Sequence, residues 1–269
     1  MTVLLVVAAA AYLALVGAMW LLQERLLFYP QPAVAPVVVP PGWHVEDVHF
    51  AARDGVRLAG ILALPPHGDR SAVIYFGGNA EEATSAAIDA EKLYGQRAVL
   101  LVNYRGYGAS EGRPSERALV EDAIALYDWL AQRGDIDAQR IALHGRSLGS
   151  GVAVQVAAAR PARCVLLTTP FDSAVRVAAE AYPWLPAAWL MRHPFDSVSR
   201  APAIKAPALV LVGADDTLIR PPRSENLAAH WGGPVQRAVF AHVGHGDVQL
   251  APGYETTVRD FTQRWLGAT

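Results

Sequence analysis

Gly145-Arg146-Ser147-Leu148-Gly149 is a G-x-S-x-G arrangement, the spacing that holds a serine on a tight turn between a strand and a helix. Ile141-Ala142-Leu143-His144 runs into it as a short apolar strand, and residues 152–159 leave it as a small-residue helix. The glycines have a mechanical reason, because side chains there would collide with the neighbouring strand and helix. Such a turn presents the Ser147 hydroxyl to solvent at a helix N-terminus. There the Leu148 N–H and the helix dipole face any negative charge that develops on a reacting oxygen. A plain glycine-rich turn with a capping serine would have the same letters, so the remaining chemistry has to decide.

A serine needs a base, and the base needs an acid to orient it. Both residue types follow in order along the chain. The apolar run at 208–212 ends in Gly213-Ala214-Asp215-Asp216, which places a carboxylate just beyond a strand. Asp216 is the expected acid, since a loop of that length turns the second aspartate toward the histidine, while Asp215 is the alternative and suits a turn-capping role. Farther on, Val239-Phe240 leads into His242-Val243-Gly244-His245-Gly246-Asp247. His245 lies between two glycines and is the expected base; His242 is nearer the strand and suits a packed or surface position. A second oxyanion donor is expected from Gly77-Gly78-Asn79 after the strand at 72–76, by the Asn79 amide or, less well, that of Gly78.

These loops must be carried by regular elements. Apolar runs at 45–50, 57–62, 72–76, 98–103, 141–144, 165–168, 208–212 and 236–240 read as strands. Helical patterns fall at 80–94, 115–132, 148–159, 222–229 and 253–265. Two early strands followed by strand–helix alternation predict an α/β fold, a mostly parallel eight-stranded sheet with helices on both faces. The alternation breaks at 171–205, where Trp184, Leu185, Trp189, Leu190 and Met191 fall among one or two short helices. That insert reads either as ordinary packing or as an apolar cap over a pocket.

The 269 residues are 52% apolar, with a formal net charge of −2. The chain is too oily for disorder and too weakly charged for a nucleic-acid partner, its arginines being spread without a basic run. Much of the oil is local. Residues 1–23 carry no Asp, Glu, Lys, Arg or His, and without the first 22 the apolar share falls to about 49%, ordinary for a globular domain. As a helix, residues 3–22 would reach about 30 Å, the thickness of bilayer hydrocarbon. A single-pass membrane anchor at 1–23 is therefore expected, then a Pro-rich linker at 24–41 and a domain at 42–269. A cleaved signal peptide is the rival reading, although its basic n-region is absent. Arg25 is the only nearby basic residue, so neither orientation is favoured. The single cysteine, Cys164, excludes an internal disulfide and a four-cysteine zinc site.

With these residues assembled, the sequence resembles the α/β-hydrolase superfamily, and within it a branch of serine hydrolases with one N-terminal membrane anchor. The likeness runs from Leu26-Leu27-Phe28-Tyr29-Pro30 almost to the C-terminus. Its most specific piece is Asn103-Tyr104-Arg105-Gly106-Tyr107-Gly108-Ala109-Ser110-Glu111-Gly112, for which the resemblance implies a structural role beside the active site. Two departures stand out. The family usually has His-Gly-Asn where this chain has Gly77-Gly78-Asn79, and Gly246 replaces a usual asparagine after His245.

The expected chemistry is ester or thioester hydrolysis by Ser147, His245 and Asp216, with oxyanion donors Leu148 and Asn79 and neither metal nor organic cofactor. A small-molecule or lipid-like acyl compound is the expected substrate. A serine peptidase on the same scaffold, or a catalytically silent binding protein, are the alternatives.

Overall fold

The computed structural model describes residues 1–267; the last two residues of the expected domain 42–269 lie outside them. Eight strands form one sheet: β1 (His44–Ala51), β2 (Arg57–Leu64), β3 (Ala72–Phe76), β4 (Ala98–Val102), β5 (Ile141–Arg146), β6 (Cys164–Thr168), β7 (Ala208–Gly213) and β8 (Val235–Phe240). Their order is β1-β2-β4-β3-β5-β6-β7-β8. β2 runs antiparallel to both its neighbours, and every other pairing is parallel.

Strand side chains alternate between the faces, so a buried central strand feeds two cores. Ile74 and Phe76 of β3 pack with Leu119 and Leu126 of α3 (Glu116–Ala131) and Val152 of α4 (Leu148–Ala159). Val73 and Tyr75 pack on the other face with Leu93 of α2 (Ala90–Tyr94) and Phe261 of α9 (Tyr254–Leu266). Six parallel strands, β3 to β8, thus end at one edge, where Phe76 pairs with Gly145, Arg146 with Thr168 and Gly213 with Phe240. Loops leaving that edge carry every residue expected to do chemistry, as in other open α/β sheets.

Three expectations need correction. The helix anticipated at 80–94 is a 3-10 segment, Ala83–Asp89, followed by the short α2. Asn103 Oδ1 takes the Ala83 N–H at 2.8 Å, and Glu82 accepts from Ser85 N at 3.0 Å, which delays the start. The fourth strand stops at Val102, one residue short of the expected end, although the Asn103 N–H still donates to the Ala59 carbonyl of β2 at 3.0 Å. The insert contains three short helices, α5 (Ala174–Ala181), α6 (Ala187–Leu190) and α7 (Ser197–Arg200), before a 3-10 turn at Ala201–Ala203. α8 (Pro221–Ala229) completes the helices between β7 and β8.

The N-terminal helix α1 spans Thr2–Leu27, four residues beyond the expected end of the apolar segment. It is long and apolar enough to cross a membrane, with a mean hydropathy of 2.3 in its best window. Phe28 ends it in an extended conformation and is buried in the domain. The Pro-rich stretch then lies along the domain: Gly108 N–H donates to the Gln31 carbonyl at 2.8 Å, and Pro32 bridges Gly108.

Candidate active site

Ser147 sits between the end of β5 and the first residue of α4 at φ 50° and ψ −117°, a strained conformation for a residue with a side chain. The flanking glycines make it sterically possible. A Cβ on Gly149 would lie 2.0 Å from the Phe76 carbonyl oxygen, and one on Gly145 2.3 Å from the Gly149 carbonyl. Strand, turn and helix can meet this closely only without those side chains. Ser147 does not cap α4 with its hydroxyl; its Oγ lies 2.9 Å from His245 Nε2.

The other face of the imidazole is held as closely. His245 Nδ1 is 2.7 Å from Asp216 Oδ2, and Asp216 is buried at the end of the β7 loop. Its Oδ1 accepts from the Leu218 and Ile219 amides at 2.9 and 2.8 Å. A carboxylate only accepts, so Nδ1 carries the imidazole proton and Nε2 is left as an acceptor facing the hydroxyl. Asp215 and His242 do not join this arrangement. His242 is 96% exposed and Asp215 65% exposed in their side chains, 3.9 Å apart on the surface.

Asn79 and Leu148 border the same cavity as Ser147. Gly78 is not available as a donor, because its N–H is given to Glu81 Oε2 at 2.7 Å. Glu81 is itself paired with Arg146 at 3.0 Å and accepts from Tyr75 at 2.7 Å. The Asn79 amide makes no hydrogen bond to protein among the described residues, and Leu148 is the first residue of α4, where the N–H has no intrahelical partner.

Two tyrosines were not identified as site residues from the sequence. Tyr107 donates its hydroxyl to the Asn79 carbonyl at 2.7 Å and accepts from Tyr29 N at 3.0 Å. Tyr104 donates to the Gly77 carbonyl at 3.0 Å. Burial raises the pKa of both phenols, so both stay protonated and able to donate. These two hydroxyls hold the backbone of the 77–79 loop. Their only signal was the Tyr-x-x-Tyr spacing inside the 103–112 segment.

His144, one strand residue before the elbow, belongs to the core. It is fully buried between the Tyr94 hydroxyl at 2.6 Å and Thr168 Oγ1 at 2.9 Å. Burial, with a smaller contribution from Arg146, pushes its pKa down to about 3.

A cavity of about 320 Å³ opens beside Ser147. Its walls are apolar: Phe171, Val177 of α5, Leu190 of α6, and Trp20 and Leu27 of α1. Among the described residues, no group of three or more His, Cys, Asp or Glu is placed to hold a metal ion.

A doubly covered, mostly parallel sheet with its reactive-type side chains on the loops of one carboxyl edge defines the α/β-hydrolase class. The comparisons agree. An uncharacterized protein of Mycobacterium tuberculosis is 38% identical over 257 residues, covering 93% of this chain and 89% of that protein. The α/β hydrolase domain-containing protein WAV2 of Arabidopsis thaliana is 30% identical over 226 residues, covering 74% of this chain and 72% of that one. The profile of the X-Pro dipeptidyl-peptidase (S15 family) matches residues 54–180. Among solved structures, a Pyrococcus furiosus esterase superposes with a TM-score of 0.70 at 20% identity, over 89% of this chain and 98% of that one. Acetyl xylan esterase from a Paenibacillus species gives 0.71 at 20% identity, over 93% and 94%. The chain belongs to the α/β-hydrolase superfamily and is a hydrolase of that fold.

Proposed function

We propose that this hydrolase is a membrane-anchored serine enzyme that cleaves carboxylic ester or thioester bonds through Ser147, His245 and Asp216. The observation that carries the reading is the unbroken relay of 2.9 Å from Ser147 Oγ to His245 Nε2 and 2.7 Å from His245 Nδ1 to Asp216. Ser147 attacks the acyl carbonyl while His245 Nε2 takes its proton. The tetrahedral oxyanion is received by the Leu148 and Asn79 amides, each such donor commonly contributing about 3–4 kcal/mol. Collapse breaks the bond to the leaving alcohol or thiol, which His245 protonates. Water then attacks the acyl-serine, His245 takes its proton, and the carboxylic acid departs with Ser147 restored. Asp216 stabilises the imidazolium formed in both halves.

α1 serves as a single-pass anchor in this reading, with the Pro-rich 28–41 stretch leading to the catalytic domain and the 171–205 insert as its cap. The apolar cavity beside Ser147 suits an acyl chain. Purified wild-type protein is expected to label with a fluorophosphonate probe and Ser147→Ala to label not at all; labelling that survives the substitution overturns the assignment.

The S15 profile match favours one second reading, a serine peptidase. Against it, the described cavity lining contains no carboxylate to receive a peptide's N-terminal ammonium. Acyl esters and thioesters assayed beside Xaa-Pro dipeptide anilides separate the two, the esters being the expected substrates.

A further inference from the structure

Residues 181–191 of the insert are eleven in a row without Asp, Glu, Lys, Arg or His. Tyr182 and Trp184 are nearly half exposed and Trp189 is 90% exposed, an apolar surface that a purely water-facing cap would not favour. The segment runs along α1. The Tyr12 hydroxyl donates to the Trp184 carbonyl at 2.9 Å. Gln23 Nε2 donates to the Leu190 carbonyl at 3.2 Å, and Gln23 Oε1 accepts from Arg192 N at 2.8 Å. The Arg192 guanidinium lies 5.1 Å from the Trp20 ring centre and pairs with Glu24 at 3.4 Å.

These contacts set a depth. Glu24, Arg25, Arg192 and His193 mark one polar level, and above it both α1 and the insert are apolar. From Gln23 to Tyr12 the helix rises roughly 16 Å, about half the hydrocarbon thickness of a bilayer. A membrane that holds α1 across its span must therefore also hold the insert, down to Trp184.

The backbone of the insert is suited to that setting, because lipid offers no partner to a free N–H or C=O. Pro183 and Pro186 have no N–H to satisfy. The amides of Leu185, Ala187, Trp189 and Met191 donate within the segment at 2.8–3.0 Å, and that of Tyr182 donates to the Ala178 carbonyl of α5 at 2.8 Å; the Trp184 N–H makes no hydrogen bond among the described residues. The Trp184 and Leu190 carbonyls are those taken by Tyr12 and Gln23.

We propose that residues 181–191 are immersed in one leaflet beside the C-terminal half of α1, and that the active-site cavity opens to the lipid between them. Trp20, Leu26 and Leu27 of α1 face Leu185, Leu190 and Met191 of the insert across that cavity, with Ser147 on its lining. The substrate is then an acyl chain joined by an ester or thioester bond to a molecule held in the same leaflet, and it enters sideways from the bilayer. This rests on the anchored serine-hydrolase reading.

The test uses the full chain in phosphatidylcholine vesicles. Cys164 is buried and its thiol is pushed up to about 12, so it does not compete for a thiol-reactive fluorophore. A probe on Trp184→Cys and one on Leu13→Cys in α1 are both expected to be quenched by lipids spin-labelled in the acyl chain, and not by aqueous iodide. Iodide quenching at 184 with lipid quenching at 13 overturns the proposal and leaves the anchor standing; iodide quenching at 13 removes the anchor as well. In activity, Trp189→Glu places a charge on the immersed surface without touching the cavity lining. It is expected to lower turnover of a vesicle-embedded long-chain thioester at least tenfold and to leave a short soluble ester within twofold. Unchanged turnover of both substrates overturns the proposal.

Discussion

The hydroxyl of Tyr107 bridges two segments that are 50 residues apart, donating to the Asn79 carbonyl at 2.7 Å and receiving the Tyr29 N–H at 3.0 Å. It ties the chain leaving α1 to the loop that carries an expected oxyanion donor. Asn79 Oδ1 accepts from the same Tyr29 amide at 3.0 Å, so the contact is doubled.

Tyr107→Phe removes that bridge while keeping the buried ring. In the proposed mechanism the Asn79 amide acts only when the oxyanion forms, so the loss is expected mainly in kcat, about tenfold, with KM nearly unchanged. Stability is expected to fall by about 1–2 kcal/mol, the cost of a partly buried carbonyl left without its donor. Steady-state kinetics with a short ester and urea unfolding in detergent check both numbers. A rise in KM alone would remove the loop from the catalytic account.

The two adjacent aspartates give a sharper contrast. Asp216→Asn offers an amide where His245 Nδ1 needs an acceptor, which favours the wrong imidazole tautomer. A fall in kcat of about 10⁴-fold is expected, as for other triads with this change. Asp215→Asn alters an exposed pair with His242 and is expected to stay within twofold. Equal losses from the two substitutions would contradict the assignment of the acid.

His144 makes stability depend on pH. Its folded pKa is pushed down to about 3 by burial, against about 6.5 unfolded. Below pH 6.5 the unfolded chain therefore binds a proton that the folded chain refuses. The stability contribution is complete above pH 6.5 and is lost as pH falls toward 3, at about 1.4 kcal/mol per unit. Comparing urea unfolding at pH 7.5 and 5.0, His144→Gln is expected to reduce the drop shown by the wild type by roughly 2 kcal/mol. An identical drop in both proteins would show that His144 is not the titrating group.

The candidate site residues were legible because each sits at the end of an apolar run in a local, recognisable setting. Ser147 lies between two glycines at the end of an apolar run, and Asp216 and His245 follow later runs in the required order. Gly145 and Gly149 could be read for the same reason, since a tight turn has a spacing of its own. Tyr104 and Tyr107 could not, because their partners Gly77 and Asn79 are more than 25 residues away. The 80–94 segment misled for a related reason: its helical pattern is real, but Asn103, beyond the next strand, takes the first N–H. The seam between α1 and the insert joins residues about 170 apart, such as Tyr12 and Trp184, and leaves no trace in either stretch alone.

In the proposed function, that seam makes tethering and substrate choice properties of one piece of chain. Trp20, Leu26 and Leu27 are at once part of α1 and part of the wall beside Ser147. A fragment starting at Phe28 would keep the serine, the histidine and the aspartate, yet meet its substrate through a groove open on one flank. In that reading, what such a fragment hydrolyses would describe the chemistry of Ser147, His245 and Asp216 and misreport the selectivity of the intact protein.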